Sequence, residues 1–125
     1  MSETAIERDR PLLRRAIAVT AHYRRTGRCP AIIHSLGGGD SFEIRPTRNG
    51  FLDCASGVEV TFRPFALLLG GAPQAIELGL EGDIGFFAYD PGTETRFAGR
   101  CGGGASVTLY DLASNDFFQY AVSDD

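Results

Sequence analysis

Residues 12–28 read LLRRAIAVTAHYRRTGR, and apolar and basic residues alternate through them at helical spacing. Leu12, Ala16, Val19 and Tyr23 fall three or four residues apart on one face, and Leu13, Ile17 and Thr20 widen it. Arg14, Arg15, His22 and Arg25 point the other way. Asp9 is placed to cap the first turn, and Pro11 sits where a missing N–H costs nothing. Gly27 is a natural stop, and Pro30 forbids continuation. The spacing therefore predicts an amphipathic helix over about residues 11–26. Fully burying Leu12, Leu13, Ile17 and Val19 would contribute about 1.5–3 kcal/mol each. A stripe this wide makes the helix integral to the fold, covering one side or end of whatever follows, with the arginines facing outward.

After Pro30 the period changes from helical to two, and residues 31–122 read as β-rich. AIIHS (31–35) is a short apolar run closed by GGGD. SFEIR (41–45) and FLDCA (51–55) flank PTRNG, whose Asn49-Gly50 is a strong hairpin signal. GVEVTF (57–62) alternates, with Val58, Val60 and Phe62 on one face. FALLL (65–69) is too short to assign by period. AIELGL (75–80) and IGFFAY (84–89) flank Glu81-Gly82-Asp83 as a second hairpin. AYDPGTETRF (88–97) and LYDLASNDFF (109–118) share a frame of Tyr-Asp, turn residues and Phe at an offset of 21 residues. Each reads as a strand, a turn in which Asp90 or Asp111 accepts backbone N–H groups, and a return strand. Two copies do not make a repeat architecture.

The expected fold is α+β, mainly antiparallel β. One N-terminal helix packs on a small sandwich or barrel of about eight to ten short strands. At 125 residues, with 43% hydrophobic and 22% charged residues, the chain reads as one globular domain, residues 1–125. No segment has the apolar length to cross a membrane as a helix, and MSETAIERDR lacks the apolar core of a signal peptide. Three cysteines at irregular spacing do not suggest a disulfide framework, so a cytoplasmic protein with reduced thiols is expected.

All 12 basic residues are arginines, which removes lysine-based chemistry and the lysine-dependent phosphate loop. Residues 1–28 carry seven arginines against three acids, a charge of +4, and the remainder carries −8. A basic head on an acidic body suits a polyanion grip through Arg14, Arg15 and Arg25. It equally suits docking on the protein's own acidic body or on a second copy. No nucleic-acid-binding motif accompanies the arginines, and the acidic body would repel a polyanion. Cys29 and His34, with Cys54 and Cys101, lack the paired spacing of a zinc site, so no metal or cofactor is expected. Cys54 has no signature of a nucleophile, and the turn role accounts for Asp90 and Asp111 without acid–base chemistry. GGGD (37–40) precedes a strand-like stretch where a phosphate site would need a helix.

The aromatics give the best interaction signal. In adjacent pairs Phe86 and Phe87 point to opposite faces, as do Phe117 and Phe118, so one set is core and the other is free to make contacts. Phe86, Phe87, Tyr89, Phe117, Phe118 and Tyr120 are the candidate surface. The leading expectation is a non-catalytic interaction or regulatory module that binds a protein partner or itself, as a dimer or small oligomer. A nucleic-acid or polyanion binder comes second. A small-molecule-binding barrel, enzymatic or not, comes third.

Overall fold

The computed structural model describes residues 2–102 and 104–124, with side chains from Arg10 onward. One helix, α1 (Ser2–Thr26), leads into ten strands. These are β1 (Ile32–Ser35), β2 (Ser41–Thr47), β3 (Gly50–Asp53), β4 (Val58–Arg63) and β5 (Ala66–Leu69), then β6 (Ile76–Glu81), β7 (Gly85–Asp90), β8 (Thr95–Cys101), β9 (Ser106–Asp111) and β10 (Asp116–Ser123). Each strand pairs antiparallel with the next, and β1 also pairs with β10, placing Ile33 opposite Val122. The sheet is thus a closed up-and-down barrel.

α1 occupies the barrel's interior. Residues 16–21 are each no more than 1% exposed, whereas a helix lying on one side of a sheet would leave a face in water. Its side chains reach around the wall: Arg15 to β2 and β3, Tyr23 to β4, Arg14 to β9 and β10. This corrects the expectation that the helix covers one side or end of the sheet. Eight strands enclose a space that side chains alone can fill, and ten enclose a wider one. The small residues Ala16, Ala18 and Ala21, all fully buried, let a helix backbone fill it.

The helix ends as its sequence predicts. Gly27 adopts φ 76°, and its N–H donates to the Tyr23 carbonyl at 2.7 Å. Its start differs, since α1 begins at Ser2 and Pro11 lies inside it. SETAIERDR is rich in helix formers and carries its first acid near the positive end of the helix dipole. Pro11 deprives the Glu7 carbonyl of its donor but does not end the helix. Pro11 is exposed and Leu12 is buried, so this residue marks where the helix enters the barrel. The Asp9 side chain lies outside the described residues.

Inward positions along the strands are apolar except at strand ends, where polar residues such as Asp53, Asp90, Thr95 and Asp111 stand, and the apolar ones fill the space between wall and helix. Phe86 lies over Gly99, where an added Cβ would come within 2.3 Å of the ring. Gly50 is not the turn residue that Asn49-Gly50 suggests. The β2–β3 loop is Arg48-Asn49, and Gly50 opens β3 opposite Thr47. A Cβ there would lie 1.8 Å from the Val60 carbonyl oxygen, so glycine is required by the approach of β4. FALLL yields β5, entered through Phe65 at φ 54°.

The outer wall carries exposed charge on β2, β4, β6 and β8, at Glu43, Arg45, Glu59, Glu77, Arg96 and Arg100. Apolar inside and charged outside is the reverse of a lipid-facing barrel. Among the described residues, no helix is long and apolar enough to cross a membrane.

Candidate functional site

Two regions concentrate the candidate residues: the mouth through which α1 enters, and the outer wall of β7–β10.

At the mouth, the inward position ending β3, β7 and β9 is an aspartate in each case. Asp53, Asp90 and Asp111 each fold back on the turn that follows. Asp53 accepts from the Ser56 N–H at 3.2 Å and its hydroxyl at 2.6 Å. Asp90 accepts from the Gly92 N–H at 3.0 Å and the Thr93 hydroxyl at 2.7 Å. Asp111 accepts from the Ala113 N–H at 3.0 Å. The turn role read for Asp90 and Asp111 is present, with Asp53 as a third copy. The sequence frame hid Asp53 because Leu52 stands where Tyr89 and Tyr110 stand in the other two.

Two of these carboxylates also receive the helix arginines. Arg15 donates through Nε and Nη2 to the two oxygens of Asp53, at 3.1 and 2.8 Å. Arg10 donates through Nη2 to both oxygens of Asp111, and Arg14 adds its Nε at 3.0 Å. Asp53 and Asp111 are at most 1% exposed. Burial alone would push the Asp53 carboxyl up. The hydrogen bonds from Arg15 and Ser56, with the Arg15 charge, outweigh it and hold Asp53 below its ordinary value. Arg14 further stacks over Phe118 at 3.9 Å, and Arg15 over Phe42 at 4.1 Å.

The outward basic stripe expected of Arg14, Arg15 and Arg25 is therefore corrected. Arg14 and Arg15 lie inside the mouth with their charge met. Arg25 lies at the opposite end, where its Nη2 donates to the carbonyls of Glu81, Gly82 and Gly85 and ties down the β6–β7 turn. The three do not converge on one surface.

Asp90 makes no ion pair among the described residues. With Arg10, Leu13, Leu69, Ala72, Gln74, Ile76 and Thr93 it borders a cavity of about 140 Å³ between the helix and the β5–β6 and β7–β8 turns. Burial pushes the Cys29 and Cys101 thiols up to about 11, which keeps them protonated. Among the described residues, no three His, Cys, Asp or Glu side chains are grouped to hold a metal ion. His34 pairs with the Ser41 hydroxyl at 2.7 Å on the outer wall, while His22 is buried at the far end of the helix.

The aromatic candidates divide between the two faces of the wall. Phe86 and Tyr120 point inward at 1% and 4% exposure, and Phe118 is half-buried beneath Arg14. These three are core, which corrects their place in the contact surface. Phe87 and Phe117 point outward at 49% and 66% exposure, and half-buried Tyr89 follows Phe87 on the same face of β7, under Arg96. The strand register extends this outer set. Gly79 pairs with Phe87, Phe87 with Ala98, Ala98 with Tyr110, and Tyr110 with Phe117. The result is one continuous apolar row across five strands. Phe87 covers the bare backbone of Gly79, and the Tyr110 and Phe117 rings lie 4.6 Å apart. Tyr110 was missed as a contact residue. Its signal was Asp111, since an inward aspartate puts the preceding residue outside.

No family model matches the chain, and comparisons with curated proteins and with solved structures give no match.

Proposed function

We propose that this protein is a non-catalytic interaction module that docks a protein partner through the outer row on β7–β10. The observation that carries this reading is the in-register line Phe87, Ala98, Tyr110 and Phe117, with its two phenylalanines 49% and 66% exposed. The row covers Gly79 and pairs two rings, yet it still leaves Phe87 and Phe117 exposed, and a continuous line of exposed apolar surface is what an interface uses. The barrel around its internal helix serves as a rigid frame that presents the row. Capture of partners from native lysate on the tagged protein, with and without nuclease, tests this. Capture should survive nuclease and be lost in both Phe87→Ser and Phe117→Ser, with the thermal melt retained. Unchanged capture by both variants would remove the row from the interface.

A second reading rests on the mouth cavity. Around an apolar floor stand the Asp90 carboxylate, held by its turn but in no ion pair among the described residues, the Arg10 guanidinium, which Asp111 shares, and the Gln74 amide, and such a rim suits a small polar-ended molecule. The helix fills the rest of the interior, so any such ligand would sit at the rim. A polyanion grip, by contrast, would need Arg14 and Arg15 to leave buried partners.

A further inference from the structure

The outward positions of β6, β7 and β8 form a grid of three rows fixed by the strand register. Glu77, Tyr89 and Arg96 make the first row, Gly79, Phe87 and Ala98 the second, and Glu81, Gly85 and Arg100 the third. Both carboxylates thus stand on β6 and both guanidiniums on β8, with an aromatic ridge between them. All four charged residues are exposed, and none has an ion-pair partner among the described residues. Strands two apart are separated by about 10 Å, and across β7 these charges stay unpaired within the chain. An open groove runs beside the ridge, bordered by Phe87, Tyr89, Arg96, Ala98 and Leu112.

This pattern is complementary to itself. A two-fold axis laid along β7 exchanges its left and right sides and keeps each row at the same height. Glu77 of one copy then faces Arg96 of the other, and Glu81 faces Arg100. Phe87 meets its own counterpart at the centre. We propose that this face docks a second copy of the same chain about a two-fold axis along β7. The proposal rests on the reading of the outer row as an interaction surface and names the occupant of its β6–β8 part. A partner of unrelated sequence would have no reason to meet opposite charge columns placed symmetrically about an aromatic ridge. An isologous copy meets them by construction.

The barrel wall is convex, so contact is confined to these three strands. That patch is about 10 Å wide and about 13 Å long, well below the area of a standard interface. The dimer is therefore weak, with a dissociation constant on the order of 0.1 mM. It weakens further with added salt, because its charges meet at the rim.

Sedimentation velocity over a concentration series up to about 1 mM tests the proposal. The wild type should show a reversible monomer–dimer equilibrium. The double variant Glu77→Arg with Glu81→Arg faces like charge on like, as does Arg96→Glu with Arg100→Glu. Each should associate at least tenfold more weakly on its own. Mixed in equal amounts, the two should associate again, since every facing pair is then opposite in sign. Exchanging all four charges in one chain should also restore the homodimer, and circular dichroism checks that each variant keeps its fold. A wild type monomeric throughout overturns the proposal. So does association indifferent to either reversal, or a mixture that gains nothing over its components. A monomer that still captures a Phe117-dependent partner would overturn the second copy and leave the interaction reading standing. Neither capture nor dimer would remove both.

Discussion

Asp53 holds Arg15 through two hydrogen bonds and Ser56 through two more, with 1% of its surface in water. His22, at the other end of the interior, is buried beside Val122 and Asp124 with Arg28 near. Burial lowers its pKa below the ordinary value of 6.5, and Asp124 opposes this incompletely. Both groups contribute to the acid response. The folded state takes up a proton at His22 less readily than the unfolded chain does. Stability is therefore full above about pH 6.5 and declines as pH falls toward the folded pKa of His22. Asp53 has the depressed pKa of a paired carboxylate. Its contribution holds above the ordinary carboxylate range and is lost as pH falls through its folded value. Chemical denaturation at a series of pH values should show two successive declines, and His22→Gln should remove the first alone. At this scale the sequence shows turn aspartates from their local spacing. It does not show their arginine partners, because Asp111 and Arg14 lie 97 residues apart and no pattern links them.

The strands were legible as elements because alternation is a local property. Val58, Val60 and Phe62 announce one buried face whatever surrounds it. The helix was half legible. Its stripe and its glycine stop are in the sequence, but its setting is not. Arginines opposite an apolar stripe look like a solvated face until buried aspartates meet them. The overlooked signal was Ala18 and Ala21, small residues on the arginine side of the helix. If α1 lay against one side of the sheet, Ala18 would be exposed and Ala18→Leu would be harmless. Inside the barrel it is fully buried, so the added atoms must displace the wall. Ala18→Leu should lower stability by about 1–3 kcal/mol, measured by denaturant titration. An unchanged midpoint would contradict the enclosed helix.

For the whole molecule, the sequence leaves barrel and sandwich equivalent, since both ask for alternating strands of this length and spacing. The difference lies in one pairing, β1 with β10, which joins the two ends of the sheet across most of the chain. That pairing removes the sheet's free edges, so lateral growth through exposed strand edges is closed off and association must use the faces. It also seals the helix in. A surface helix lets its amides exchange with solvent through local fraying, because it can loosen while the rest of the fold stays intact. Here the amides of residues 16–21 meet water only when the wall itself opens. Native-state hydrogen–deuterium exchange should therefore rank these helix amides with the most protected strand amides. Both should share one opening free energy and one denaturant dependence, that of global unfolding, so that the helix and the barrel come apart together or not at all.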